Sequence, residues 1–320
     1  MMLNARIFIL FIIFTYAAFD STGHINSSGR EDTVSIVRDS GRIFGSIITP
    51  ENDDKFPIAL IISGSGPTDR NGNNPMMTNN SLKMLADSLG KAGIASIRYD
   101  KRGVAASIGA GISEIDLRFE DYVEDAIAWV NFIKEDNRFN NLVIIGHSEG
   151  SLIGMIAAYQ VPIDGFISIA GPGEPADLTI KRQLQSQPSF IQDQLNPKID
   201  SLKNGFLIGD VDPAYFALLR PSVQPYLISW FKYDPQIEIK KLKIPVLLIQ
   251  GDTDIQVRTE DAEMLEMAAL DANLVIINGM NHILKPSTLD RQENIATYMD
   301  PELPIMQELI HSIADFILEN

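Results

Sequence analysis

Apolar positions along this chain fall into two alternating patterns. Short continuous blocks rich in β-branched residues predict buried strands, and longer stretches with apolar positions three or four apart predict helices. Thr33–Arg38 and Arg42–Thr49 flank Asp39-Ser40-Gly41 and read as a hairpin. Pro57–Ser63 (PIALIIS) predicts a strand, Ser81–Lys91 a helix, Ile94–Asp100 a strand and Phe119–Glu135 a helix. Strands at Asn141–Gly146 and Gly165–Gly171 enclose a helix over 149–160. Pro245–Gln250 and Leu274–Ile277 are the last strands, with helices at Thr259–Leu270 and Leu303–Leu318. Uninterrupted apolar strands separated by helices imply a mostly parallel sheet covered on both faces.

The alternation breaks once. Residues 174–243 contain seven prolines and eight aromatics, among them Tyr226 and Trp230, and no apolar block of strand type. This block predicts a mostly helical cap insert lying over the carboxyl edge of the sheet, where open α/β folds hold ligands. The plainer alternative is an additional packing layer. At the other end, one basic residue and then thirteen uncharged residues, Ile7 to Phe19, have the form of a signal peptide over 1–19. An uncleaved anchor or a first core strand are the alternatives. Residues 20–32 read as a flexible lead-in, leaving 33–320 as the folded domain, and the expected location is periplasmic or extracellular.

Composition narrows the chemistry. The chain has no cysteine, which excludes a thiol nucleophile, a disulfide scaffold and cysteine-bound metal. Its formal net charge of -16 disfavours nucleic acid and polyanionic partners. No other stretch reaches eighteen apolar residues, so no stable membrane insertion is expected after signal cleavage. No motif calls for a cofactor or a metal, and none specifies an oligomeric state.

The chemistry-bearing residues stand at strand ends. Gly146-His147-Ser148-Glu149-Gly150 is G-x-S-x-G between an apolar strand and a helix, the setting in which a serine sits on a tight turn with its hydroxyl exposed. A serine nucleophile needs a base, and the chain has four histidines. His24 lies in the lead-in, His147 beside the serine and His311 within the last helix, so the loop residue His282 is the candidate. The strand Pro245–Gln250 runs into Gly251-Asp252-Thr253-Asp254, offering two carboxylates that spacing does not distinguish. Glu149 reads first as an acid in the opening turn of its helix, and secondly as a group that could recognise a substrate amine. Asp69, Arg70, Asp100 and Arg102 read as loop charges holding two neighbouring loops, with a buried network behind the site as the alternative.

These motifs, with Gly251-Asp252-Thr253-Asp254-Ile255-Gln256-Val257 and Met280-Asn281-His282, resemble those of the α/β-hydrolase superfamily. The runs Gly64-Ser65-Gly66-Pro67-Thr68-Asp69-Arg70-Asn71-Gly72-Asn73 and Arg98-Tyr99-Asp100-Lys101-Arg102-Gly103 are similar to the EstD-like carboxylesterases, near the serine aminopeptidase (S33-like) hydrolases. The resemblance covers about residues 55–320, with Ala105-Ala106 departing from the family's usual glycine. It implies the α/β-hydrolase fold, Asp254 as the triad acid and Asp252 as a turn residue. It also implies an oxyanion hole made by the backbone N–H groups of Ser65 and Glu149. The expected activity is hydrolysis of small-molecule esters with small to medium acyl groups. The same triad would serve an exopeptidase or amidase, and a non-catalytic binding protein would normally lack a triad member.

Overall fold

The computed structural model describes residues 29–51 and 55–320. The signal-peptide reading over 1–19 therefore lies outside the described residues. So does most of the lead-in; its last four residues, 29–32, belong instead to the first strand. Strands β1 (Gly29–Arg38) and β2 (Gly41–Pro50) form the expected hairpin, with Arg38 opposite Gly41 across a two-residue turn. Residues 29–32 continue the antiparallel pairing opposite residues 47–50 of β2, and Glu31 pairs with the buried guanidinium of Arg98 at 2.5 Å.

β3 (Phe56–Ile62), α1 (Ser81–Lys91), β4 (Ala95–Tyr99), α2 (Phe119–Lys134), β5 (Phe139–His147), α3 (Glu149–Gln160) and β6 (Gly165–Ile169) follow the predicted alternation. The insert supplies α4 (Ala176–Leu184), α5 (Ser189–Lys203), α6 (Phe216–Leu219), α7 (Gln224–Trp230) and α8 (Pro235–Ile239). Then come β7 (Val246–Gly251), α9 (Thr259–Ala268), β8 (Asn273–Ile277), α10 (Arg291–Ala296) and α11 (Gln307–Glu319). The eight strands form one sheet in the order β1-β2-β4-β3-β5-β6-β7-β8, parallel from β4 to β8 and antiparallel only where β2 meets its two neighbours.

Side chains alternate across a strand, so β3 serves two cores. Ile58, Leu60 and Ile62 pack in a cluster with Trp129 of α2 and Ile153 of α3, while Ala59 and Ile61 join Leu85 of α1 and Ile313 of α11. This two-sided burial is why the central strands read as unbroken apolar runs. β8, at the sheet's edge, is largely only partly buried, which corrects the uniform burial expected of it.

Two boundaries and one additional helix depart from the expected pattern for identifiable reasons. β6 ends at Ile169 because Ala170 turns to φ 50°. α11 begins at Gln307 and not Leu303, since the Met306 amide is bonded to the Leu284 carbonyl. α10 was not predicted; residues 285–302 carry no clear apolar period.

Candidate active site

β5 and α3 meet at Ser148, which takes φ 56° and ψ -122°. A non-glycine residue there costs on the order of 1–3 kcal/mol, so its surroundings must hold it. The Ser148 amide donates to Ile169 of β6 at 2.9 Å. The two motif glycines are dictated by close approach. A Cβ on Gly146 would stand 2.3 Å from the Gly150 oxygen, and one on Gly150 would stand 2.4 Å from the Ile62 oxygen. Either side chain would push α3 away from the sheet. The positive end of α3 starts at the next residue, Glu149.

The acid and histidine loops close against each other on one side of this turn. The Met280 carbonyl lies so near Gly251 that a Cβ there would overlap it, and Thr253 N–H donates to the same carbonyl. His282 is buried, and its Nδ1 lies 2.7 Å from Asp254 Oδ2. Asp254 Oδ1 accepts from the amides of Gln256 (2.7 Å) and Val257 (3.0 Å), and its Oδ2 also accepts from the Gln250 side chain. The carboxylate is thus fixed at both oxygens, one of them on the imidazole. Asp252 is exposed and accepts from the Gly279 amide at 2.7 Å, which makes it the turn residue of the pair.

The remaining histidines separate cleanly. His311 is exposed on α11 and His24 lies outside the described residues. His147 is buried with its Nε2 2.8 Å from the His282 carbonyl, and the rings sit 4.9 Å apart. Burial, reinforced by the neighbouring His282, pushes its pKa down to about 4. It is therefore neutral near pH 7 and donates through Nε2, pinning the backbone of His282.

The opposite side of Ser148 is built from polar side chains. A Cβ on Gly64 would stand 3.1 Å from the Ser148 Cβ, so the loop after β3 lies directly against the serine. Ser65 and Glu149 both line the adjoining cleft. Behind them the ammonium of Lys101 is fully buried. It donates to the Gly64 carbonyl at 2.6 Å, lies 3.2 Å from Glu149 Oε2 and sits over the Tyr122 ring. The hydroxyl of Tyr226, from α7, donates to Glu149 Oε1 at 2.5 Å. Burial and the Glu149 charge hold the Tyr226 phenol well above its ordinary pKa, so it remains a donor. Glu149 is thus more than a helix-turn acid, and both its oxygens are occupied.

The four loop charges do not form one network. Arg70 pairs with Asp100 at 2.7 Å and ties two loops together, while Asp69 accepts from amides of its own turn. Arg102 turns away to Asp121 and Asp125 on α2. Lys101 stands between two of these residues, inside the Arg98–Gly103 run, and its sequence surroundings do not disclose its partners, Gly64 and Glu149, which lie far along the chain. Tyr298 and Arg291 of the unpredicted 291–299 segment also line the cleft.

The sequence profile described as serine aminopeptidase, S33, matches residues 78–203, a stretch that includes Ser148 but neither Asp254 nor His282. The esterase EstD of Thermotoga maritima is 27% identical over 248 residues, covering 75% of this chain; the chain spans only 57% of that relative's length. Among solved structures, Est1E from Butyrivibrio proteoclasticus aligns over 91% of this chain and 98% of its own, with a TM-score of 0.58 and 19% identity. An acylaminoacyl peptidase from Pyrococcus horikoshii aligns over 80% of this chain and 38% of its own, with a TM-score of 0.53 and 16% identity. The chain has the α/β-hydrolase fold. In that fold a serine, an acid and a histidine follow one another along the chain in this sequence, the order in which Ser148, Asp254 and His282 occur. The cleft, of about 1020 Å³, opens between the strand ends and the insert, with Leu152, Ile180, Leu218 and Trp230 among its apolar walls.

Proposed function

We propose that the protein is a serine esterase with Ser148, His282 and Asp254 as its triad. The observation that carries this reading is the 2.7 Å bond between His282 Nδ1 and Asp254 Oδ2, beside a serine held at a strained strand-to-helix turn. In this mechanism Ser148 Oγ attacks the ester carbonyl and His282 Nε2 takes the hydroxyl proton. Asp254 keeps the proton of Nδ1 in place and stabilises the imidazolium. The carbonyl oxygen becomes an oxyanion between the N–H groups of Ser65 and Glu149. As the C–O bond breaks, His282 returns its proton to the departing alcohol. Water, deprotonated by the same histidine, then splits the acyl-enzyme and restores Ser148.

The apolar walls suit an acyl group of small to medium size, and the insert acts as the cap over it. An aminopeptidase would need a carboxylate free to pair with a substrate ammonium. Among the described residues, the two carboxylates that line the cleft are already engaged, Glu149 by Lys101 and Glu174 by Arg182. This favours esters over peptides with a free amine. The N-terminal pattern and acidic composition support an exported enzyme.

Hydrolysis of short p-nitrophenyl esters by the mature protein and by Ser148→Ala tests the assignment. The expected loss is at least about 10⁴-fold. Equal rates would overturn it, and a preference for aminoacyl-naphthylamides over esters would replace the ester reading with the peptidase one.

A further inference from the structure

The geometry points to Lys101 as a positioning residue that sets both oxyanion donors at once, with Tyr226 of the insert completing the arrangement. This rests on the serine-hydrolase reading above and deepens it. The Gly64 carbonyl and the Ser65 N–H are the two ends of one planar peptide group. Every described peptide bond is trans, so these two ends point in opposite directions. An ammonium gripping the Gly64 oxygen at 2.6 Å from behind therefore fixes the direction of the Ser65 N–H in front. A charged donor on a carbonyl also polarises the peptide, which makes its N–H a stronger donor.

The second donor is tied to the same group. Glu149 supplies the other oxyanion N–H, and its side chain is held by Lys101 at 3.2 Å and by Tyr226 at 2.5 Å. The ammonium is fully buried and its contacts are the Gly64 oxygen, the Glu149 carboxylate and the face of Tyr122. A lone ammonium would be costly at this depth, and the pair is maintained by good geometry on both partners. Because Tyr226 sits on α7, the insert contributes to the oxyanion hole without touching the substrate carbonyl.

The test separates positioning from simple structural support. Lys101→Met should lower kcat for a p-nitrophenyl ester by about 10–100-fold, below or near the cost of losing one oxyanion donor outright. KM should stay within about threefold, since the ground-state ester does not depend on these donors to the same degree. A trifluoromethyl ketone, which adds to Ser148 and places an oxyanion in the hole, should lose affinity in parallel with kcat. The unreactive amide of the same shape should bind as before. Lys101→Met/Glu149→Gln removes both charges together and should show the same selective loss if the single variant folds poorly. Tyr226→Phe should give a smaller loss of the same kind, about three- to tenfold. Unchanged kcat in Lys101→Met, or ketone and amide affinities falling together, would overturn the proposal. If the wild type binds the ketone but turns over no ester, the ester reading fails while Lys101 can still be judged from the ketone.

Discussion

The two sides of Ser148 are held by different means. On the side of Asp254 and His282, backbone meets backbone: Gly251 lies against Met280, and two amides within three residues fix the carboxylate. On the side of Ser65 and Glu149, a buried ammonium and a phenol hold two loops and a helix start in place. The first arrangement is local and tolerates little change in shape. The second joins four separate stretches of chain and tolerates little change in charge. Precision can thus come from steric closeness or from buried electrostatics, and this molecule uses one on each flank of a single serine.

The largest test of the contrast falls on the acid side. Asp254→Asn turns one oxygen into an N–H₂ group. Its NH₂ would face the His282 N–H and the Gln250 NH₂, or its oxygen would have to leave the Gln256 and Val257 amides. A loss of about 10⁴-fold in kcat is expected from the wrong tautomer, against less than twofold for Asp252→Asn. Steady-state kinetics on both variants checks this, and equal losses would erase the distinction between the two carboxylates.

The steric claim is next. Gly150→Ala brings a methyl to 2.4 Å from one backbone oxygen and 2.8 Å from another, and should cost about 3 kcal/mol in denaturant unfolding. A loss of under 1 kcal/mol would mean that the contact between α3 and β3 is not tight.

The smallest effect concerns His147. Its folded-state pKa of about 4 lies below the ordinary value of 6.5, so the unfolded chain binds its proton first as pH falls. Stability is therefore fully retained above about pH 6.5 and declines toward pH 4, with about 2 kcal/mol lost from this group by pH 5. His147→Gln, which retains a donor for the His282 carbonyl, should show a shallower decline between pH 7.5 and 5. Unfolding curves at both pH values decide it; identical slopes would place the titration elsewhere.

Legibility in the sequence follows the same division. Strands buried on both faces showed as unbroken apolar runs, and the turn at Ser148 showed through its glycines. The histidine emerged by elimination among four. Lys101 could not be found this way. It follows a strand whose every residue is buried, stands among charges that go elsewhere, and meets Gly64, Glu149 and Tyr226 only in the folded chain. The hydroxyl of Tyr226 was hidden for a similar reason, because an aromatic in a proline-rich helical block reads as packing. Residues 29–32 read as lead-in because their polar side chains conceal a continuation of the hairpin: they pair with residues 47–50, and Glu31 meets Lys83 and Arg98 only in the folded chain.

Strands β6 and β7 are hydrogen-bonded neighbours, with Phe166 opposite Val246, although the whole insert separates them in the chain. The insert thus leaves and rejoins the sheet at adjacent points, and changing its length adds little to the entropy of closing that loop. By that measure the segment is exchangeable, a region in which new specificities could be grafted without disturbing the strand pairing. Glu149 sets a condition on any such exchange. A replacement that brings no hydroxyl to its Oε1 leaves a buried carboxylate half-satisfied next to Ser148. Grafts should therefore be sorted by whether they restore that single hydrogen bond before they are sorted by how well they fit a substrate.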